Sequence, residues 1–111
     1  MIFLFTTLLA ILWWYLYCLH EVASNKFEMI CRCHKYHECI NILGSATYDF
    51  KLDDEFDIHV INKMFKRQKI WDMNTNKNIA LFGVRDITAK YIYVVYDRSN
   101  YRIIEIGWLD A

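Results

Sequence analysis

The first stretch of the chain, "MIFLFTTLLAILWWYLYCL", contains no charged side chain between Met1 and Leu19. Residues 2–19, wound as an α-helix at 1.5 Å per residue, would span about 27 Å, close to the ~30 Å hydrocarbon thickness of a bilayer. Trp13, Trp14, Tyr15 and Tyr17 crowd the C-terminal end of this run, and rings of that kind settle at the headgroup level. A soluble domain of this size could hardly enclose so apolar a helix, which lacks any polar face. The run therefore reads as a transmembrane signal-anchor over residues 1–19, with the lipid bilayer as the partner of residues 2–19.

A cleaved signal peptide is the rival reading. No Lys or Arg precedes the apolar run, and the best small-residue site, Val22-Ala23-Ser24, follows Glu21, so the features of a cleavable leader are poorly met. Orientation draws on opposing signals. Lys26, Arg32 and Lys35 lie on the C-terminal side and favour a cytoplasmic domain by the positive-inside rule. A minimal N-terminal tail suits a signal-anchor with its domain outside, and cysteine-bearing domains belong to oxidising compartments. The expectation is a single-pass protein with its domain in the periplasm or another exoplasmic space.

With 13 basic and 13 acidic side chains the formal net charge is zero, which excludes the general electrostatic attraction that carries nucleic-acid binding. Residues 20–26, "HEVASNK", are short enough to hold whatever follows against the membrane. From there, residues 27–111 read as one small α+β domain. Phe27, Met29, Cys31 and Cys33 alternate with Glu28, Ile30, Arg32 and His34, the period of a half-buried strand. "HKYHE" (34–38) then reads as a hairpin loop, and "CINILGSATYDFKL" (39–52) as the return strand, with Gly44 as a bulge or break.

"DDEFDIHVINKMFKRQK" (53–69) is the clearest helix after the anchor. Phe56, Ile58, Val60, Ile61, Met64 and Phe65 recur at helical spacing, Asp54 is placed to cap the N-terminus, Asp57 falls at the third helical position, and basic residues gather at the end. "KIWDM" and "KNIALFGV" read as strands around an Asn-rich turn at Asn74–Asn78. "KYIYVVYDRSNYRIIEIGW" reads as a hairpin turning at Asp97–Asn100, with Ile104, Ile106 and Trp108 sharing one face. The expected order is ββαββββ: an antiparallel sheet of four to six strands packed on one helix, its other face left for water or a partner.

Five potential ligands stand within nine residues in "CRCHKYHEC": Cys31, Cys33, His34, His37 and Cys39. Zinc sites usually draw ligand pairs from two separated segments, and Cys-x-Cys on one strand face departs from that pattern. Across a hairpin the same residues make better sense as a disulfide, Cys33–Cys39 or Cys31–Cys39. The glycines (Gly44, Gly83, Gly107) form no phosphate-cradling loop, and neither G-x-S-x-G nor H-E-x-x-H occurs. Neither catalysis nor a cofactor is therefore expected. Tyr91, Tyr93, Tyr96 and Tyr101 crowd the last hairpin and are candidates for contact with a protein partner, since tyrosine joins apolar area to a polar tip.

The charge-free run, the short tether and the absence of a catalytic set together describe a membrane-anchored protein whose small domain binds another protein. In this layout the chain is similar to membrane-anchored bacteriocin immunity proteins of the colicin M immunity kind, and the similarity implies toxin capture beside the bilayer; no residue is carried across from it. A secreted disulfide-stapled domain, a metal-binding accessory protein and a viral or phage membrane factor are the alternative readings.

Overall fold

The computed structural model describes residues 2–65, 67–84 and 90–110. Helix α1 runs without a break over Ile2–Cys31, followed by α2 (Tyr36–Leu43), β1 (Tyr48–Lys51), α3 (Glu55–Phe65), β2 (Lys77–Val84), β3 (Lys90–Asp97) and β4 (Ile103–Asp110). The strands form one antiparallel sheet in the order β1-β2-β3-β4. The class is α+β, with four strands, within the four to six expected, and an N-terminal helix long and apolar enough to cross a membrane. The order of elements differs from the expected ββαββββ in the first half of the domain and at the strand expected over residues 69–73.

The difference begins at residue 20. Residues 20–26 are helical and continuous with the apolar run, so the junctions at 20 and 27 mark changes of surroundings, not of secondary structure. The strand expected over 27–33 is helix as far as Cys31. Extending a helix that already exists adds one hydrogen bond per residue and needs no new nucleus, and no proline or glycine interrupts the chain before Gly44. The residues also fit a second period: Ala23, Phe27 and Ile30 stand at i, i+4 and i+7. The sheet buries that stripe, with Ala23 at 1% and Ile30 at 0% exposure, while Met29, on the inner face of the alternating pattern, is 52% exposed.

The expected hairpin loop and the first part of its return strand form α2 instead. No side chain caps its start; the Tyr36 N–H donates to the Tyr101 carbonyl at 2.8 Å, so a turn distant in sequence satisfies one of the free N-terminal donors. Gly44 ends the helix at φ 82°, its N–H donating to the Ile40 carbonyl at 2.8 Å, which makes it a helix stop and not a strand bulge. Only Tyr48–Lys51 of the return segment pairs as a strand, against Asn78–Leu81 of β2.

α3 follows the sequence expectation closely. The Asp54 carboxylate accepts from the N–H groups of Phe56 (2.9 Å) and Asp57 (3.3 Å), as a capping side chain does. Asp57 reaches back to accept from the Lys51 N–H at 2.9 Å and ties the helix to β1. Of its apolar residues, Ile61 and Phe65 are buried while Phe56 is exposed. The strand expected at "KIWDM" does not form: Trp71 is buried as part of a loop, which the Asn62 side chain pins by bonding both the Trp71 N–H (2.6 Å) and its carbonyl (2.9 Å).

Both faces of the sheet are covered, so the bare face expected from a one-helix layer is absent among the described residues. Ile79, Leu81, Tyr93, Val95 and Leu109 pack beneath α3 and the Trp71 loop. Ala80, Phe82, Ile92, Val94 and Tyr96 pack beneath the end of α1 and α2, through Ile30, Tyr36 and Cys39. β3 is buried on both sides, as its unbroken apolar run anticipates. The apolar N-terminal part of α1 projects beyond this body, its side chains from Ile2 to Tyr15 exposed, and the whole molecule is 61 Å long.

The α1 packing separates the two periods experimentally. Ile30→Ala should cost about 2–5 kcal/mol of domain stability, read by denaturant unfolding of the detergent-solubilised chain, whereas Met29→Ala should stay within about 0.5 kcal/mol. Equal losses at both positions would contradict the buried helical stripe.

Candidate partner-binding end of the domain

From Ala23 to Cys31 α1 runs along the sheet, so the β3–β4 turn and the α1–α2 loop meet at the end farthest from the apolar segment. His34 accepts from the Ile103 N–H at 2.9 Å, Lys35 bridges to Arg102, and the Lys35 ammonium donates to the Asn100 carbonyl at 2.9 Å. The cysteine-histidine segment and the tyrosine hairpin, far apart in sequence, therefore share one surface.

The turn is heavily cross-braced. Asp97 Oδ1 accepts from the Ser99 N–H (2.8 Å) and hydroxyl (2.6 Å), Asp97 Oδ2 accepts from the Lys77 ammonium (2.8 Å), and the Tyr101 N–H donates to the Asp97 carbonyl (2.7 Å). Arg98 pairs with Asp53. Lys77 and Ser99 together hold the Asp97 carboxyl well below its ordinary range. Tyr101 adopts φ 58°, a left-handed conformation that costs a non-glycine residue about 1–2 kcal/mol and persists only where its surroundings enforce it. That conformation leaves the Tyr101 ring 54% exposed.

Beside the turn, β4 carries a bulge. Val95 faces Glu105 and Tyr96 faces Ile103, so Ile104 has no partner on β3 and the side-chain alternation shifts by one. Ile104 is 53% exposed, while Ile103, Ile106 and Trp108 pack toward α1 and α2. This corrects the expected shared face of Ile104, Ile106 and Trp108. Ile103 and Ile104, with Lys77, Asp97, Asn100 and Arg102, line an open depression of about 440 Å³. Arg102 lines this hollow and the exposed Tyr101 precedes it in the chain; arginine and tyrosine are among the residue types enriched in the binding energy of protein interfaces.

The four candidate tyrosines do not form one surface. Tyr91 and Tyr93 lie on the α3 side, Tyr91 half-buried and edge-on to Phe65, Tyr93 at 7% exposure and edge-on to Trp71. Tyr96, at 3%, lies on the opposite side between Tyr36 (centroids 3.9 Å) and Tyr101 (6.2 Å) in a three-ring stack. Its hydroxyl donates to Asp49 Oδ2 at 2.8 Å and accepts from the Asn78 amide at 3.2 Å; burial, then the Asp49 contact, raises its pKa. Strand alternation divides the set, and burial leaves Tyr101 as the member most accessible to a partner. Lys77, Arg102 and Ile104 escaped the sequence reading, because only the bulge exposes Ile104 and only the fold brings Lys77 to the turn.

The four cysteines are free thiols, Cys31 exposed, Cys33 half-buried, Cys39 buried and Cys18 within the apolar helix. The hairpin across which a disulfide was expected is absent, yet Cys33 and Cys39 are near enough to influence each other's ionisation where α1 gives way to α2, the Cys33 thiol donating to the Met29 carbonyl at 3.4 Å. Burial pushes the Cys39 thiol up to about 12. His34 and His37 point to solvent, and no three His, Cys, Asp or Glu side chains converge on a metal-sized site among the described residues. No protein-family model, curated protein or solved structure matches this chain.

Because the Asp97 pKa is depressed from 3.8, the ion pair's contribution to stability is complete above that value and is lost as pH falls below it. Asp97→Asn should therefore lower the melting temperature at neutral pH. The gap between parent and variant should narrow as pH is taken below about 4. A gap independent of pH would show that the charge is not what braces the turn.

Proposed function

We propose that this chain is a single-span membrane protein whose domain stands on the exoplasmic face of the bilayer and binds another protein through the end farthest from the membrane. The observation that carries this reading is the continuity of α1, one 30-residue helix that is bare and charge-free in its first part and packed on the sheet in its last. Thr6 and Thr7, the hydroxyl residues early in the apolar run, donate to their own helix carbonyls at 2.9 and 2.7 Å, as side chains must where water is absent. A helix entering the domain without a flexible joint fixes which end faces outward, and that end carries Tyr101, Arg102 and Ile104. Capture of a toxin by an immunity factor is one role that this layout suits.

On the exoplasmic side the neighbouring Cys33 and Cys39 thiols would close to a disulfide by exchange with an external disulfide, which takes up the two electrons and two protons they release. Intact mass of non-reduced protein should be lighter by two hydrogens than that of reduced protein. In whole cells an impermeant maleimide should label the exposed Cys31. Labelling only after the membrane is opened would reverse the orientation.

A photo-crosslinking residue at Ile104 should give a discrete adduct in cells, and the same residue at Phe56, exposed on α3, should give none. Tyr101→Gly should abolish the Ile104 adduct with little effect on folding, since relief of about 1 kcal/mol of backbone strain offsets a lost ring contact of about 0.5–1.5 kcal/mol. An adduct that survives Tyr101→Gly would place the partner elsewhere.

A further inference from the structure

At the opposite end of the domain, where α1 leaves the apolar run, a groove of about 270 Å³ opens between helix and sheet. Leu19, Val22, Ala23 and Lys26 line it from α1, facing Leu43 at the end of α2 and Val84 at the end of β2. Those four α1 positions follow helical spacing and form one stripe. Leu19 is the last residue of the charge-free segment, and Lys26 stands about 10 Å further along the axis. A leaflet's headgroup layer is about 5–8 Å deep, and a lysine lays its aliphatic stem on apolar surface while its ammonium reaches for a polar layer. The groove therefore begins at the depth of acyl chains and ends at the depth of phosphates.

Its charge is as particular as its position. The Lys26 ammonium has neither ion-pair nor hydrogen-bond partner among the described residues. Lys90, opposite Val84 in register, holds its ammonium 5.7 Å from the Trp108 ring, and Trp108 stacks on Phe27 of α1 at 4.8 Å. One lysine, Lys26, thus stands at a slot with largely apolar walls beside the apolar segment, and Lys90 and Trp108 lie on the two strands beyond its Val84 wall.

We propose that this groove holds one anionic phospholipid of the leaflet facing the domain, its acyl chain along Leu19, Val22 and Leu43 and its phosphate at Lys26. The inference rests on the anchored reading above and adds a ligand to the membrane-facing end. Such a lipid would act as a wedge that fixes the domain's tilt, because it fills the angle between α1 and the sheet.

Purified full-length protein in mild detergent, titrated with dioctanoyl phosphatidylglycerol or dioctanoyl phosphatidylcholine, tests this by native mass spectrometry. The parent should retain one phosphatidylglycerol with at least about fivefold preference over phosphatidylcholine, the worth of one lysine beside an anionic headgroup. Lys26→Gln should remove the preference. Val22→Trp, which fills the slot, should remove retention, while Asn25→Trp, exposed and outside it, should not. Equal retention of both lipids, or retention unaffected by Val22→Trp, overturns the proposal. Flotation of the parent with phosphatidylcholine vesicles separates the two claims: a chain that floats but shows no preference loses only the lipid site, and one that does not float loses the anchor and the site together.

Discussion

The packing of the Ala23, Phe27 and Ile30 stripe against the sheet is the contact on which the rest of the molecule depends. It converts the continuation of the apolar helix into the spine of the domain. Full burial of a side chain such as Ile30 is worth about 1.5–3 kcal/mol, but its larger effect is geometric. With α1 laid along the sheet, the β3–β4 turn must point away from the apolar segment, α2 must fold back under β3, and the groove at Val22 must lie beside the apolar segment. A flexible linker at residues 20–26 would have left all three orientations open.

The second half of the domain was legible because its signals are local and agree with one another. Asp54 caps α3, the apolar run of β3 is buried on both sides, and β3 and β4 meet at the turn where Asp97 to Asn100 stand. The first half was not, because residues 27–33 satisfy two periods. Phe27 and Cys33 fit a strand face, whereas Ala23, Phe27 and Ile30 fit a helix, and only the presence of a helix already propagating from residue 2 decides between them. Cys-x-Cys then lies across a helix end. α2 has no side-chain cap to announce it in the sequence, since its donor at Tyr36 is satisfied by a carbonyl 65 residues away.

At the candidate site the hairpin singled out for its tyrosines is divided by the fold between core and surface. The tyrosines cluster on the last hairpin, yet Tyr93 and Tyr96 serve the core there, and the residues exposed at its turn are Tyr101, Arg102 and Ile104. A left-handed tyrosine and a bulged isoleucine owe their exposure to backbone geometry, which composition and periodicity do not encode. The cysteine cluster likewise mattered for its place: it reaches the turn through His34 and Lys35 and braces it.

The sheet edge adds a constraint that would weigh most on a domain held at a membrane. Chains confined to a surface meet one another at high local density, and an open strand edge would template edge-to-edge pairing. β4 is such an edge, and both of its ends are occupied from within the chain. At one end the Ile103 N–H donates to His34; at the other the Gln68 amide imitates a neighbouring strand, accepting from the Asp110 N–H at 2.8 Å and donating to its carbonyl at 2.6 Å. Between them Glu105 is drawn to Lys69 at 2.7 Å, which sets a charged pair beside the middle of the edge. The bulge at Ile104 twists the remaining stretch, so the irregularity that exposes Ile104 at one end of β4 also disfavours pairing of the strand with its own copies.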